Sequence, residues 1–304
     1  MEKQSLTALV SAFARAYHAE HKEVKVFDDP LARLLISDEE FAGISGNMAK
    51  AAAFFRPGLS GSPEEALREV VDHQLSPTPL GRAAFTEEAL EAAVRLGARQ
   101  YLIFAAGYDT FAYRQPAWAA PLQIFEIDHP ATSADKQRRI AALPIAMPEN
   151  LHFIAADFRE PDWRSRLLDC PAFDPPCISF CSLLGISYYL TKEVFRQLLS
   201  DIASMLPRGS SIVFDYPDEL TFTDQAGQRA KKQVMMAAQA GEPMEASYSY
   251  AELERMLEEA DLLIYKHLTP EEITDQVFHA YNNSQPDHPV TAFDHVHYVL
   301  AVKQ

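Results

Sequence analysis

The chain has 304 residues, 48% hydrophobic and 23% charged, with 27 basic against 43 acidic side chains and a formal charge of −16. That length can bury a sizeable core and suits one α/β domain with additions. So acidic a surface repels phosphate, which argues against a nucleic-acid substrate and against docking on an anionic membrane.

No run of about 18 apolar residues is present, so no transmembrane helix is expected. The start, Met1-Glu-Lys-Gln-Ser-Leu, lacks a charged-then-apolar signal pattern. Three cysteines, Cys170, Cys177 and Cys181, are an odd number that suits a reducing cytoplasm. Their spacing does not fit a zinc knuckle, and no metal site is expected.

Helical spacing runs over 5–21, stopped by Phe27-Asp28-Asp29-Pro30. Short helices are predicted over 31–36, from 37 towards 55, and over 63–75, the last after the loop 56–63. Pro77 and Pro79 punctuate the chain before a helix over 83–96, so roughly the first 98 residues form a helical cap. From residue 99 onward strands and helices alternate, which implies parallel strands with right-handed crossovers. The predicted strands are 101–106, 122–127, 151–155, 177–182 and 211–216, with helices at 109–113, 130–142, 163–168 and 192–206 between them. A polar helix over 218–239 belongs to a lid insertion around 217–248. A helix capped by Ser249, a strand at 262–266, a short helix at 270–277, a polar loop at 279–289 and a last strand at 295–302 complete the chain.

The chemistry concentrates between residues 100 and 128. A dinucleotide fold places G-x-G-x-x-G after its first strand so that the backbone can approach a pyrophosphate. Here those positions read Ala105-Ala106-Gly107-Tyr108-Asp109-Thr110, with only the middle glycine, and Asp109 and Thr110 would repel and crowd a pyrophosphate. That counts against a nicotinamide or flavin dinucleotide. Acids stand at Glu126 and Asp128, where a carboxylate can accept from ribose hydroxyls. Close backbone approach and a ribose carboxylate without a pyrophosphate cradle fit S-adenosylmethionine (SAM). A generic α/β turn with surface acids stays open at this point.

Other motifs join this stretch: Phe27-Asp28-Asp29-Pro30, Leu80-Gly81-Arg82, Tyr113-Arg114, Phe125 to Pro130 with Lys136, Ala156-Asp157-Phe158-Arg159, Tyr189-Leu190-Thr191 and Pro207-Arg208-Gly209-Ser210. Through most of its length the chain resembles the leucine carboxyl methyltransferase family, including bacterial O-methyltransferases. The resemblance implies a class I SAM-dependent methyltransferase fold, a Rossmann-like seven-stranded sheet with a reversed last strand. It implies that Arg82 holds the SAM carboxylate, with Arg15 assisting. It implies that Ala105 and Gly107 form the turn under the cofactor, that Asp128 binds the ribose, and that Asp157 and Phe158 border the adenine. Two positions depart from the family: Ala105 replaces the first turn glycine, and Leu184 replaces the glutamate before Gly185.

Methyl transfer needs positioning and water exclusion more than a catalytic triad, and none is found. Acceptor-side candidates are Tyr188, Tyr189, Asp215, Tyr216 and Glu219, at or beyond strand ends. Met235, Met236 and Met244 with Phe54 and Phe55 are candidates for a lid lining over a partly apolar acceptor. His295 and His297 share a strand face but have no acid or thiol pattern nearby, and His18 and His21 read as a solvated helix face. The expected activity is methyl transfer to an oxygen, carboxylate or hydroxyl, of a small-molecule acceptor. The alternatives are methylation of a protein C-terminal carboxylate, SAM binding without catalysis, and a nicotinamide-dependent oxidoreductase.

Overall fold

A computed structural model describes residues 5–59, 61–160 and 162–304. Part of the stretch read for a signal pattern, and Ser60 of the predicted loop, lie outside them. Five helices come first: α1 (Leu6–His21), α2 (Asp38–Lys50), α3 (Ala52–Phe55), α4 (Pro63–Val70) and α5 (Pro77–Arg95). The alternating part follows as β1 (Gln100–Phe104), β2 (Gln123–Asp128), α6 (Pro130–Ala141), β3 (Leu151–Ala155), α7 (Trp163–Leu168), β4 (Ser179–Leu183), α8 (Lys192–Met205) and β5 (Ser211–Pro217). The chain ends with α9 (Gly227–Gln239), α10 (Tyr250–Glu259), β6 (Leu262–Leu268), α11 (Pro270–Gln276), α12 (His279–Ser284) and β7 (Val296–Lys303).

The strands form one seven-stranded sheet in the order β3-β2-β1-β4-β5-β7-β6. The first five run parallel, and β7 is antiparallel to both β5 and β6. This is the mixed α/β sheet with one reversed strand that the family resemblance implies. β1 and β4 are buried at every position, as an apolar run in a central parallel strand requires. One core face packs Leu102, Phe104, Phe125 and Ile127 against α8 and α10. The other packs Tyr101, Ile103 and Ile124 against α5 and the segment around Tyr281.

Several helix starts follow from capping chemistry. Ser37 with Glu40, Ser62 with Glu65, Ser249 with Glu252 and Thr269 with Glu272 each form a reciprocal capping box. The boundary at 83 is corrected: α5 begins at Pro77. Pro77 takes the first helical position and Pro79 is still in the first turn, where backbone N–H groups have no intrahelical partner. A π turn, Val71–Leu75, joins α4 to α5. The helix expected over 218–239 begins only at Gly227, whose φ of 73° stops it from extending upstream. The helix at 109–113 is one 3-10 turn, Phe111–Tyr113, and the loop at 279–289 contains α12.

His18 is also corrected. It is 3% exposed, and its Nε2 accepts from Val26 N at 3.0 Å. Burial pushes its pKa down to about 4. The N-terminal helices are tied to the sheet by Asp29, which is 1% exposed. Its carboxylate receives Arg15 Nε at 2.8 Å, Thr110 Oγ1 at 2.6 Å and Ala32 N at 3.2 Å, with Arg114 Nε at 3.7 Å. Burial would raise its pKa, but the Arg15 and Arg114 guanidiniums and the Thr110 hydroxyl bring it below the usual carboxylate value.

Candidate functional site

Parallel pairing brings the carboxyl ends of β1 and β2 together, and the turn after β1 sits there. Ala105 (φ 53°) and Gly107 (φ 50°) both take left-handed backbone conformations. Gly107 N donates to Asp128 Oδ2 at 2.5 Å, and His129 N donates to Oδ1 at 2.6 Å. Burial pushes the Asp128 pKa up, opposed by those two backbone N–H groups. α1 lies against the turn: a Cβ on Gly107 would stand 3.2 Å from Ala8 Cβ. Arg15 reinforces this contact by donating to Tyr108 O at 2.7 Å and to Ser11 Oγ at 3.2 Å.

Arg82, on α5, forms the second cluster. Its Nη1 donates to Tyr188 Oη at 3.2 Å and to Asp215 Oδ2 at 3.3 Å, and Nη2 lies 3.5 Å from Ser11 Oγ. Burial works against its charge, but Asp215 and Tyr188 hold its pKa above the usual arginine value. Asp215 is fully buried, and its Oδ1 accepts from Gly185 N at 2.6 Å. Gly185 has φ 71°, and a Cβ there would meet Arg82 Nη1 at 2.5 Å. The guanidinium thus rests on the bare Gly185 backbone. Five donors with two modest contacts and one long one leave capacity for an incoming carboxylate.

Both clusters open into one cavity of about 1100 Å³. That exceeds the roughly 300–1,000 Å³ typical for one small ligand, so it has room for a cofactor and an acceptor together. Arg15, Arg82, Ala105, Gly107, Asp128, Asp157 and Phe158 all line it. Phe158 packs on Phe104 and Trp163, with centroids 5.7 Å away in each case, and Asp157 Oδ1 accepts from Arg159 N at 3.0 Å. Tyr188, Tyr189, Leu184, Phe54, Phe55, Met236 and Met244 line it too.

Asp215, Tyr216, Glu219, Glu126, Thr110 and Met235 are not in its wall. Asp215 acts from behind Arg82. Tyr216 points towards β6, its hydroxyl 2.9 Å from His267 Nε2 and its ring stacked on His297 at 5.1 Å. Glu126 is buried in an ion pair with Lys136 at 2.6 Å, and burial, against the pull of Lys136, raises its pKa to about 7. Thr110 turns to Asp29 and so does not crowd the site. His295 (φ 66°) falls outside β7, and the acid missing from its neighbourhood in the sequence is Asp218, 2.9 Å from His295 Nδ1 and 3.4 Å from His297 Nε2. No group of three His, Cys, Asp or Glu among the described residues could hold a metal ion.

The sequence reading missed the α1 wall, Ser5 to Ser11, and Glu242 in the loop after α9. The small residues Ala8 and Ser11 on one face of α1 were its only local sign.

Residues 8–203 match the leucine carboxyl methyltransferase family. YktD of Bacillus subtilis (strain 168), which its name assigns to the SAM-dependent methyltransferases, is 43% identical over 307 residues covering 99% of each chain. A Mycobacterium avium (strain 104) protein with the same assignment is 31% identical over 74% of this chain and 70% of its own. In fold, the chain is similar to a crystal structure of a DUF574 family protein from Streptomyces avermitilis, with a TM-score of 0.58 at 16% identity over 97% of each chain. No helix among the described residues is long and apolar enough to cross a membrane. The chain belongs to the leucine carboxyl methyltransferase family and is a SAM-dependent methyltransferase.

Proposed function

We propose that this protein methylates a carboxylate oxygen of a small acceptor with an apolar body. The cavity fits SAM: Arg82 carries free donors for a carboxylate, Gly107 leaves no room for a side chain between the turn and α1, and Asp128 presents a buried carboxylate beside it. In this reading Arg82, with Arg15 behind it, takes the amino-acid carboxylate and Asp128 takes the ribose. Asp157 and Phe158 flank the adenine, and Ala105 shapes the turn. Bound there, the cofactor would supply its sulfonium methyl group to an anionic oxygen, the C–O bond forming as the C–S bond breaks, so that the sulfonium leaves as a neutral thioether and both charges are lost.

The observation that carries the carboxylate assignment is the lining of the acceptor half. Met48, Phe54, Phe55, Leu75, Met236 and Met244 make it largely apolar, with Gln74, Gln233 and Glu245 among its polar groups, and the histidine of the cavity wall, His129, sits beside Asp128 in the cofactor half. Burial pushes the Tyr188 pKa up and the Tyr189 pKa to about 12, so neither is a base at neutral pH. Both oxygens of Glu242 are engaged by α1. A phenol or alcohol would need a base, whereas a carboxylate with a reference pKa near 4 is already ionised. The apolar wall excludes water and favours a reaction that neutralises charge. The chamber favours a small acceptor over a protein tail because α9 is pinned across it: Lys232 Nζ donates to Phe55 O at 2.9 Å, and Arg229 Nε donates to His73 O at 2.8 Å.

The test is incubation with methyl-labelled SAM and matched panels of carboxylic acids, phenols and peptides. A label released as methanol by mild base marks an ester and supports the assignment. A base-stable product on a phenol would overturn it. SAM binding without turnover on any panel would favour the non-catalytic reading.

A further inference from the structure

Three donors at the start of α1 converge on one carboxylate from a distant part of the chain. Leu6 N donates to Glu242 Oε1 at 2.8 Å and Ser5 Oγ to Oε2 at 3.1 Å, while Thr7 Oγ1 donates to the same Oε2. Glu242 lies 236 positions after Leu6, in the loop that follows α9. This loop also gives Glu245 N to Tyr188 O at 2.7 Å, so it borders the acceptor half of the cavity.

The segment carrying Glu242 is held more by side-chain hydrogen bonds than by packing. α9 is bracketed by Gly227 (φ 73°) and Gly241 (φ 80°), and a Cβ on either would meet nothing within 4 Å. Both glycines take left-handed backbone conformations, so the chain turns sharply at each end of the helix. Only Ala230 and Ala237 of α9 are buried. Side-chain pins hold a helix with so small a packed face, and Glu242 is the pin at its far end.

α1 continues from the latch to the other subsite. Its first turn holds Glu242 and sets Ala8 against Gly107, and further along Ser11 meets Arg82 while Arg15 holds Tyr108 O. We propose that Glu242 is the latch that shuts the acceptor chamber, and that α1 couples the latch to the cofactor residues. The coupling rests on the reading of Gly107 and Arg82 as the cofactor subsite. A ligand that fixes Gly107 and Arg82 fixes α1, and α1 then presents Ser5, Leu6 and Thr7 together. By linkage, closing the latch strengthens cofactor binding by the same factor by which the cofactor favours closing.

The experiment is backbone amide hydrogen exchange on the full chain, with and without S-adenosylhomocysteine, for the wild type, Glu242→Gln and Thr7→Val. In the apo chain Glu242→Gln should speed exchange over 227–245 by about tenfold, with a smaller change in the same direction for Thr7→Val. S-adenosylhomocysteine should slow that segment in the wild type. In Glu242→Gln the slowing should remain near Gly107 and Arg82 but no longer reach 227–245. Wild-type exchange over 227–245 in both apo variants would overturn the latch. Slowing that reaches the lid in Glu242→Gln would overturn the coupling. If S-adenosylhomocysteine does not bind the wild type, the cofactor assignment and the coupling fail together, while the apo comparison still decides the latch.

Discussion

Gly185 offers the sharpest test of how Arg82 is held. A Cβ added there would lie 2.5 Å from Nη1, 2.8 Å from Nη2 and 2.9 Å from Cζ of Arg82, at a backbone φ of 71°. Gly185→Ala therefore does two things. It puts alanine in a left-handed conformation, which costs about 1 kcal/mol. It also displaces the guanidinium from Asp215 and Tyr188, and losing one hydrogen bond to a charged group costs about 1.5–3 kcal/mol. Unfolding free energy should fall by about 2.5–4 kcal/mol, read by urea denaturation. S-adenosylhomocysteine affinity should fall by roughly 10- to 150-fold in calorimetric titration, because the same guanidinium is moved. Ala105→Gly is the internal comparison, since Ala105 has φ 53° and glycine relieves that strain. It should gain about 1 kcal/mol with binding intact. Wild-type affinity in Gly185→Ala would refute the idea that the bare backbone at 185 sets the position of Arg82.

Arg82→Ala should weaken S-adenosylhomocysteine binding by about 1.5–3 kcal/mol, and unchanged affinity in titration would remove Arg82 from the site. Lys136→Met should cost about 3–5 kcal/mol because it leaves Glu126 buried without its partner, while Glu126→Leu with Lys136→Met should recover most of that. A neutral single variant in urea denaturation would contradict this. His18 has a folded pKa of about 4 against an ordinary 6.5, so the unfolded chain binds the extra proton first. The stability from keeping His18 neutral is therefore complete above pH 6.5 and is lost as pH falls from there towards 4, by up to about 3 kcal/mol. His18→Gln should flatten this part of the melting-temperature profile, and parallel profiles would count against it.

The parallel strands and the turn after β1 were legible because buried parallel strands carry continuous apolar runs and a left-handed turn leaves a small residue. Gly107 and Asp128 could be paired from spacing alone. The place of Asp215 could not be read this way. In a strand buried on both faces, alternation does not say whether a carboxylate faces the cavity or stands behind its wall. Pro77 read as a break because proline ends helices from within, yet at a first helical position it starts one. The burial of His18 depends on Tyr281, 5.6 Å away between ring centroids, a contact made only by the closed fold. Glu242 has no local signature, since its partners stand more than two hundred positions earlier.

Asp29 has a consequence for how this protein could be recombined. One carboxylate bonds to Arg15 on α1, to Thr110 in the loop after β1 and to its own segment at Ala32, with Arg114 close by. A chimaera that exchanged the first 98 residues for those of a relative would have to match that carboxylate to Thr110 and Arg114 in the recipient. Without the match, the turn after β1 would lose its support from α1 while the sheet stayed intact. The helical segment is thus not a cassette, and its sequence is bound to that of the loop after β1.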